Sequence, residues 1–274
     1  MELERDLGLV RKRGLGLAAI SYDSVAVLRN FADRKKITFT LLSDPESHII
    51  RAFGILNEAV QPTSSQYGIP HPGTYVLDTK GRVVAKYFEE DMRERVSASD
   101  ILAGRFGEPI TAARAPVEAK HAKLTTAAST AVAMPGHRIL LSLDLDLPSR
   151  MHVYAPGVTG YIPIEWKIEE AGGMKPQAVQ YPAPEKLYLK PIKETALVYR
   201  RRVRLTREIK FGQEAALKPL VSTSGELVLK GSFRYQACDD RECYTPETVP
   251  LEWRFQFQGM ERERVPAELQ RKGK

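Results

Sequence analysis

Hydrophobic and polar positions follow one pattern in the first part of the chain and a different pattern in the rest. Up to about residue 105, apolar residues at helical spacing alternate with short continuous apolar runs. Leu3, Leu7 and Val10 share one face of a predicted helix, and the apolar run over residues 15–21 is typical of a buried parallel strand. This alternation predicts an α/β domain over residues 1–105.

The other elements predicted for this domain continue the alternation. Asp23 and Ser24 are suited to cap a helix that ends near Asp33. Residues 78–81, Asp-Thr-Lys-Gly, form a hairpin turn signal. The remaining predicted elements are a strand over residues 39–42, a helix over 44–53, strands over 74–77 and 83–88, and a helix over 97–102.

Beyond about residue 126 the hydrophobic period becomes two, which is the pattern of half-buried β-strands. Several short strands without intervening helices predict an all-β antiparallel sandwich over residues 119–258. We expect Trp166 and Trp253 in its core. The predicted strands cover residues 138–145, 151–154, 162–169, 198–205, 226–235 and 248–257.

Composition shifts mark the boundaries of these two domains. Alanine, threonine and scattered prolines dominate from about residue 105 to 126, a composition that suits a linker, and we place that linker at residues 106–118. Residues 259–274 read as a basic tail.

The chain of 274 residues has a net charge of +7, but its basic residues are mostly scattered and accompany no nucleic-acid-binding motif. We therefore expect a solvated basic surface and no nucleic-acid partner. No apolar run is long enough to predict a membrane span. The first six residues, Met-Glu-Leu-Glu-Arg-Asp, show no signal-peptide pattern.

The only two cysteines of the chain, Cys238 and Cys243, lie with four residues between them in a loop between two predicted strands. A disulfide there would close a ring of about six residues and stabilise the fold by only ~2 kcal/mol. Such a bond is better suited to being made and broken, and the alternative is a plain hairpin staple. Two cysteines without a histidine nearby in sequence do not predict a zinc site, and we predict no metal or cofactor.

The loop between the cysteines is acidic. Asp239, Asp240 and Glu242 outnumber the single cation Arg241, and this charge balance disfavours a thiolate. A weak nucleophile suits a disulfide that a partner's activated thiolate attacks. The alternative is that these side chains only solvate the tip of a hairpin.

Four segments of the first domain resemble the redoxin group, the AhpC/TSA and thioredoxin-like proteins. They are Leu-Ala-Ala-Ile-Ser-Tyr-Asp at residues 17–23, Phe-Thr-Leu-Leu-Ser-Asp-Pro at 39–45, Ala-Phe-Gly at 52–54 and Tyr-Gly-Ile-Pro-His-Pro-Gly-Thr-Tyr-Val-Leu-Asp at 67–78. The resemblance implies a thioredoxin-like fold.

The same resemblance implies a reactive cysteine at the start of the first long helix, but this sequence begins inside that helix and has no cysteine before Cys238. Pro72 stands where peroxidatic members usually place an arginine. The strand before the helix, which would lie between the strands over residues 15–21 and 74–77, is missing. Each buried backbone group that loses a partner there costs about 1–3 kcal/mol. We expect an incomplete thioredoxin-like fold, truncated at its N-terminus from a longer redoxin.

The second domain resembles the N-terminal domain of DsbD, the thiol:disulfide interchange protein, over residues 119–258. The resemblance is carried by Pro-Ser-Arg-Met-His-Val-Tyr-Ala-Pro-Gly at residues 148–157, Ile-Pro-Ile-Glu-Trp at 162–166, Tyr-Pro-Ala-Pro-Glu-Lys at 181–186 and above all the segment 238–250. It implies an immunoglobulin-like sandwich that exchanges electrons with thioredoxin-like or redoxin partners.

Within that family, the second cysteine forms the mixed disulfide, so the resemblance implies that Cys243 exchanges and Cys238 resolves. It also implies aromatic residues flanking the sulfurs and a cap loop between residues 184 and 194. The flanking candidates are His152, Tyr154 and Tyr244. The nearest candidates for the tip of the cap are Leu187, Tyr188 and Leu189.

These observations lead to one principal hypothesis, a thiol–disulfide oxidoreductase that relays electrons through the cysteine pair. One alternative is a peroxiredoxin-type antioxidant protein that is inactive in this truncated form. Another is a non-catalytic immunoglobulin-like binding module with a structural disulfide. The resemblance favours a location outside the cytoplasm, in the periplasm, where disulfides persist.

Overall fold

Residues 1–106 together with 260–274 form one unit of the chain, and residues 107–259 form the other. The computed structural model describes residues 2–88, 93–107, 115–189 and 193–270. Residues 260–270 of the predicted basic tail therefore fall in the first unit.

The first unit contains the alternating helices and strands that its sequence predicts. Ser24 caps the second helix as expected, because its hydroxyl accepts the backbone N–H of Val27. The third helix begins later than predicted, because Asp44 and the three residues after it form a turn in which the Asp44 carboxylate accepts the N–H groups of His48 and Ile50. The elements are α1 (Glu2–Lys12), β1 (Ala18–Ser21), α2 (Val25–Lys35), β2 (Thr40–Ser43), α3 (His48–Ala52), β3 (Gly73–Leu77), β4 (Val83–Phe88), β5 (Arg95–Val96) and α4 (Ala98–Phe106).

Two separate pairs of strands stand where a thioredoxin-like sheet would be continuous. β1 pairs with β2 in parallel, and β3 pairs with β4 antiparallel. Within the described residues no strand joins β1 to β3, which agrees with the expected incomplete thioredoxin-like fold. The β3–β4 turn is the predicted one: the Asp78 carboxylate accepts the N–H groups of Lys80 and Arg82, and Gly81 takes the left-handed φ of 75°.

The second unit is built almost entirely of strands, as predicted. In chain order its elements are β6 (Val117–Glu118), β7 (Lys123–Ala128), β8 (Val132–Ala133), β9 (His137–Asp146), β10 (His152–Tyr154), β11 (Glu165–Ile168), β12 (Lys175–Pro176), β13 (Glu185–Leu189), β14 (Glu194–Arg200), β15 (Arg202–Lys210), α5 (Glu214–Leu217), β16 (Glu226–Tyr235), β17 (Ala237–Cys238) and β18 (Glu247–Phe257). Short 3₁₀ turns cover Lys218–Leu220 here and Ala267–Leu269 in the first unit.

Three sheets arrange these strands. One has the order β12-β15-β9-β7-β6, the second β11-β16-β18-β8, and the third β13-β14-β10-β17. The first two enclose the main hydrophobic core, and the third carries Cys238 on its edge strand β17. The longest pairing joins β16 to β18 in register from Glu226 opposite Gln256 to Tyr235 opposite Glu247.

The structure corrects two details of the strand prediction. The strand predicted over residues 198–205 is two strands, because the chain turns at Arg201, with φ of 62°, and passes from the third sheet into the first. The alanine- and threonine-rich composition up to residue 126 suggested a linker, but β7 begins at Lys123 and pairs with β9. β7 lies between β6 and β9, and its residues Leu124 and Ala128 are buried.

Trp166 and Trp253 lie in the sandwich core, as predicted. Their rings stack with centroids 5.6 Å apart, and the Trp253 Nε1 donates to the carbonyl oxygen of Ala127. The buried Arg207 guanidinium lies 5.5 Å from the Trp166 ring and donates to the carbonyl oxygens of Trp166 and Gln177. The cation is thus held by backbone dipoles and an aromatic face inside the sandwich.

We expect the sandwich core to supply most of the stability of the second unit. Leu143 of β9 is fully buried, so Leu143→Ala should lower the unfolding free energy by about 2–5 kcal/mol, through lost apolar burial and the cavity left behind. Leu220→Ala is the matched control: Leu220 is 42% exposed, and its truncation should change stability by less than about 0.5 kcal/mol. Denaturant titration measures both, and equal effects would contradict this account of the core.

Candidate functional site

The cysteine loop connects the two strands of the longest pairing in the sandwich. After β16 the chain passes through Gln236 into β17, turns over residues 239–242 and returns through Cys243 to β18. Cys238 and Cys243 face each other as an isolated antiparallel bridge and form a disulfide with Cα atoms 4.0 Å apart. The backbone N–H of Tyr244 donates to the Ala237 carbonyl, which closes the base of the loop.

The two sulfur-bearing residues differ sharply in exposure. Cys238 lies within a buried cluster and is 1% exposed, whereas Cys243 is exposed. Thiol–disulfide exchange requires an attacking thiolate to reach one sulfur in line with the bond. Of the two cysteines, Cys243 is thus the residue with exposed surface.

His152 and Tyr154, the predicted flanking residues, lie on β10 beside the disulfide. β10 pairs with β17 so that His152 is directly opposite Cys238. The Tyr154 hydroxyl lies 3.9 Å from the Cys243 Sγ, and burial raises the pKa of this phenol. The phenol is thus protonated at neutral pH and lies next to the Cys243 Sγ.

His152 is buried, with 3% of its surface exposed, and its Nε2 has no hydrogen-bond partner among the described residues. Its ring meets the Tyr154 ring edge-on with centroids 5.4 Å apart. Burial lowers the pKa of His152, and the charge of Arg200 lowers it further, while Asp240 and Asp239 oppose the shift. The imidazole is therefore neutral at pH 7, and its Nε2 makes no hydrogen bond within the described residues.

Tyr244, the third predicted flanking residue, is half-buried and belongs to a polar network beside the disulfide. Its ring stacks on His121 with centroids 4.2 Å apart, and its hydroxyl donates to the Asp239 carboxylate at 2.9 Å. This hydrogen bond raises the pKa of the Tyr244 phenol and contributes to lowering the pKa of Asp239.

The segment predicted to cap the cysteines includes β13, the edge strand of the third sheet. Leu187, Tyr188 and Leu189 lie on β13, which pairs with β14, and residues 190–192 of the predicted cap lie outside the described residues. Leu187 and Leu189 pack against the cluster that contains Tyr154 and Cys238. Tyr188 is 56% exposed and does not belong to that cluster.

Two contacts at the site escaped the sequence reasoning. Tyr161 stacks on Tyr154 with centroids 4.2 Å apart, and its hydroxyl donates to Glu194 at 2.9 Å. His121 reaches Tyr244 from the segment before β7. The Tyr161–Glu194 and His121–Tyr244 contacts join residues distant in sequence, whereas Tyr161 is only seven residues from Tyr154, and no local motif marks any of these contacts.

Within residues 2–88, 93–107, 115–189 and 193–270, no group of three or more histidine, cysteine, aspartate or glutamate side chains is arranged to hold a metal ion. No described helix has both the length and the apolar character needed to cross a bilayer.

Fold and site together define a protein class: an incomplete thioredoxin-like segment followed by an immunoglobulin-like sandwich with a cysteine pair beside its edge. Residues 1–86 match the AhpC/TSA family, and residues 121–252 match the N-terminal domain of the thiol:disulfide interchange protein DsbD. The chain thus combines a segment similar to the AhpC/TSA family with a domain similar to the DsbD N-terminal domain.

Two of the curated relatives are each similar to about a third of the chain. A peroxiredoxin-like protein of Mycobacterium tuberculosis, Rv2521, is 31% identical over 83 residues, or 30% of this chain and 52% of that protein. Alkyl hydroperoxide reductase C of Staphylococcus aureus is 29% identical over 94 residues, or 33% of this chain and 46% of that protein. The chain spans about half the length of the curated relatives it matches.

Two solved structures are similar to the chain. The N-terminal periplasmic domain of ScsB from Proteus mirabilis is 14% identical with a TM-score of 0.36, over 53% of this chain and 51% of that one. The reduced DsbD N-terminal domain of Neisseria meningitidis is 13% identical with a TM-score of 0.29, over 41% of this chain and 74% of that one.

The buried His152 predicts a pH-dependent component of stability. Its pKa is lowered in the folded state, so below the usual value of about 6.5 the unfolded chain binds more protons than the folded protein. The unfolding free energy should therefore fall as the pH drops through 6.5, and His152→Phe should lack this component. Denaturant titrations of both proteins between pH 5 and 8 measure the difference. Parallel curves across that range would rule out the linkage.

Proposed function

We propose that the sandwich domain is a thiol–disulfide oxidoreductase that relays two electrons through Cys238 and Cys243, from a thioredoxin-like or redoxin donor to an oxidised protein partner. The observation that carries this proposal is the difference in exposure between the two cysteines. One sulfur-bearing residue is open to a partner and the other lies buried against β10. A purely structural disulfide does not require one of its two cysteines to be exposed.

The first exchange begins with a thiolate of the donor. It attacks the Cys243 Sγ, the Cys238–Cys243 bond breaks, and a donor–Cys243 disulfide forms while Cys238 leaves as a thiolate. The donor's second thiolate then attacks the donor sulfur of this mixed disulfide and releases Cys243. The donor ends as a disulfide and the pair as a dithiol, so two electrons have moved.

The second exchange returns the pair to its oxidised form. The Cys243 thiolate attacks the disulfide of the oxidised partner, and the partner's leaving sulfur departs as a thiolate. Cys238 then attacks the Cys243 Sγ, which releases the partner as a dithiol. Cys243 exchanges and Cys238 resolves in this scheme.

Two side chains on β10 support this division of labour. Neutral His152, directly opposite Cys238 and with an unpartnered Nε2, can accept the thiol proton when Cys238 attacks. The protonated Tyr154 phenol, 3.9 Å from the Cys243 Sγ, can stabilise that sulfur as a thiolate by donating a hydrogen bond.

The packing of β13 supports a shielding role for the segment with Leu187, Tyr188 and Leu189. Leu187 and Leu189 cover the apolar cluster around Cys238, and the exposed Tyr188 lies between them in sequence. A partner that reaches the disulfide would meet this segment beside it.

The reactive cysteine can be identified by covalent trapping. A reduced thioredoxin whose own resolving cysteine is replaced by serine should form a stable adduct with the oxidised protein, and peptide mapping should place that adduct on Cys243. Cys243→Ser should abolish the adduct, and Cys238→Ser should abolish turnover but retain one reactive thiol at Cys243.

An adduct on Cys238 would overturn the assignment of roles. Absence of any adduct, together with a reduction potential below about −300 mV, would instead show a structural bond of an immunoglobulin-like binding module. The potential is measured by equilibrating the intact protein with thiol–disulfide buffers and trapping free thiols.

A further inference from the structure

The Asp239 side chain organises the tip of the cysteine loop. One carboxylate oxygen, Oδ1, accepts the backbone N–H groups of Arg241 at 2.8 Å and Glu242 at 2.9 Å, and the other, Oδ2, accepts the Tyr244 hydroxyl at 2.9 Å. Its own backbone N–H donates to the Glu242 carbonyl at 2.9 Å. A single residue thus ties together both arms of the loop and its tip.

None of these hydrogen bonds involves a sulfur atom. Tyr244 is held independently, by stacking on His121, by its N–H bond to the Ala237 carbonyl and by the Gln236 side chain, which donates to the Tyr244 carbonyl at 2.9 Å. The frame that Asp239 completes therefore does not depend on the S–S bond. In the dithiol form it would still hold the chain on either side of the two sulfurs together.

We propose that Asp239 is a positioning residue that sets the effective concentration of the two thiols towards each other, and thereby the reduction potential of the pair. This inference rests on the proposed redox function of the same site. When an oxidised partner disulfide takes two electrons from the dithiol, the S–S bond forms and two protons leave the sulfurs. The closer the sulfurs are held before that step, the more the disulfide is favoured.

The hydrogen bonds assign this role to the Asp239 carboxylate rather than to negative charge in general. Glu242 is also a carboxylate of the loop, but it is exposed, and among the described residues its side chain has no hydrogen bond. It places a similar charge near the sulfurs without tying the loop together. Glu242→Gln is therefore a matched control for the loss of charge.

The test compares the equilibrium constant for disulfide formation in the intact protein, measured in glutathione buffers, among four variants and the wild type. Asp239→Ala should lower the constant about tenfold, which makes the potential about 30 mV more oxidising for a two-electron couple. Two milder variants should have smaller effects in the same direction. Asp239→Asn keeps an acceptor oxygen, and Tyr244→Phe removes only the hydrogen bond to Oδ2. Glu242→Gln should stay within twofold of the wild type.

An Asp239→Ala constant within twofold of the wild type would overturn the proposal, as would an equal change in Glu242→Gln, which would show a charge effect. Near-ultraviolet circular dichroism of the oxidised variants checks that they are folded, and Tyr244→Phe tests the same frame if Asp239→Ala does not fold. The two proposals fail separately. If the wild-type protein forms no adduct with thioredoxin, the proposed exchange function is wrong. The role of Asp239 is tested separately, by the ratios of the equilibrium constants between the variants and the wild type.

Discussion

The pairing of β16 with β18 is the constraint on which the site depends. Its register runs without interruption from Glu226 opposite Gln256 to Tyr235 opposite Glu247, so both ends of the cysteine loop leave the sandwich at fixed points. The inward side chains of the same strands, among them Phe233 and Trp253, build the core. The hydrophobic interaction that folds the domain therefore also sets the span that the loop has to bridge.

A single buried side chain of the core contributes at least as much to the unfolding free energy as the disulfide does, which suits a redox pair. Truncation of one buried core leucine is expected to remove about 2–5 kcal/mol, whereas a disulfide that closes about six residues contributes only ~2 kcal/mol. We therefore expect the sandwich to stay folded when Cys238 and Cys243 are reduced. The loop has its own hydrogen bonds through Asp239 and Tyr244, and it can keep its shape while the covalent bond changes.

The redoxin segment contributes no sulfur to this chemistry, because both cysteines of the sequence lie in the sandwich. Its two strand pairs remain separate in the described residues, so β1 and β3 each pair on one side only. In the proposed function, all thiol–disulfide chemistry of this sequence therefore runs through Cys238 and Cys243.

The sequence by itself determined the two fold classes, the positions of most strands and the location of the cysteine pair. These follow from local information: hydrophobic period, turn signals such as residues 78–81, and the uniqueness of Cys238 and Cys243. The strand prediction failed at two places. At Arg201 the hydrophobic alternation continues although the chain passes from one sheet to another, and at β7 the small residues resemble the composition of a linker.

Only the tertiary structure decided which cysteine residue is exposed and which side chains surround the disulfide. The burial of Cys238, the unpartnered nitrogen of His152 and the stacking of Tyr161 on Tyr154 all arise where β10, β14 and β17 meet. The acidic residues of the loop suggested a charge effect on the cysteines, whereas the folded loop shows Asp239 binding backbone N–H groups. Contacts of this kind depend on strand pairing between distant segments, and the periodicity of a single strand carries no information about its neighbours.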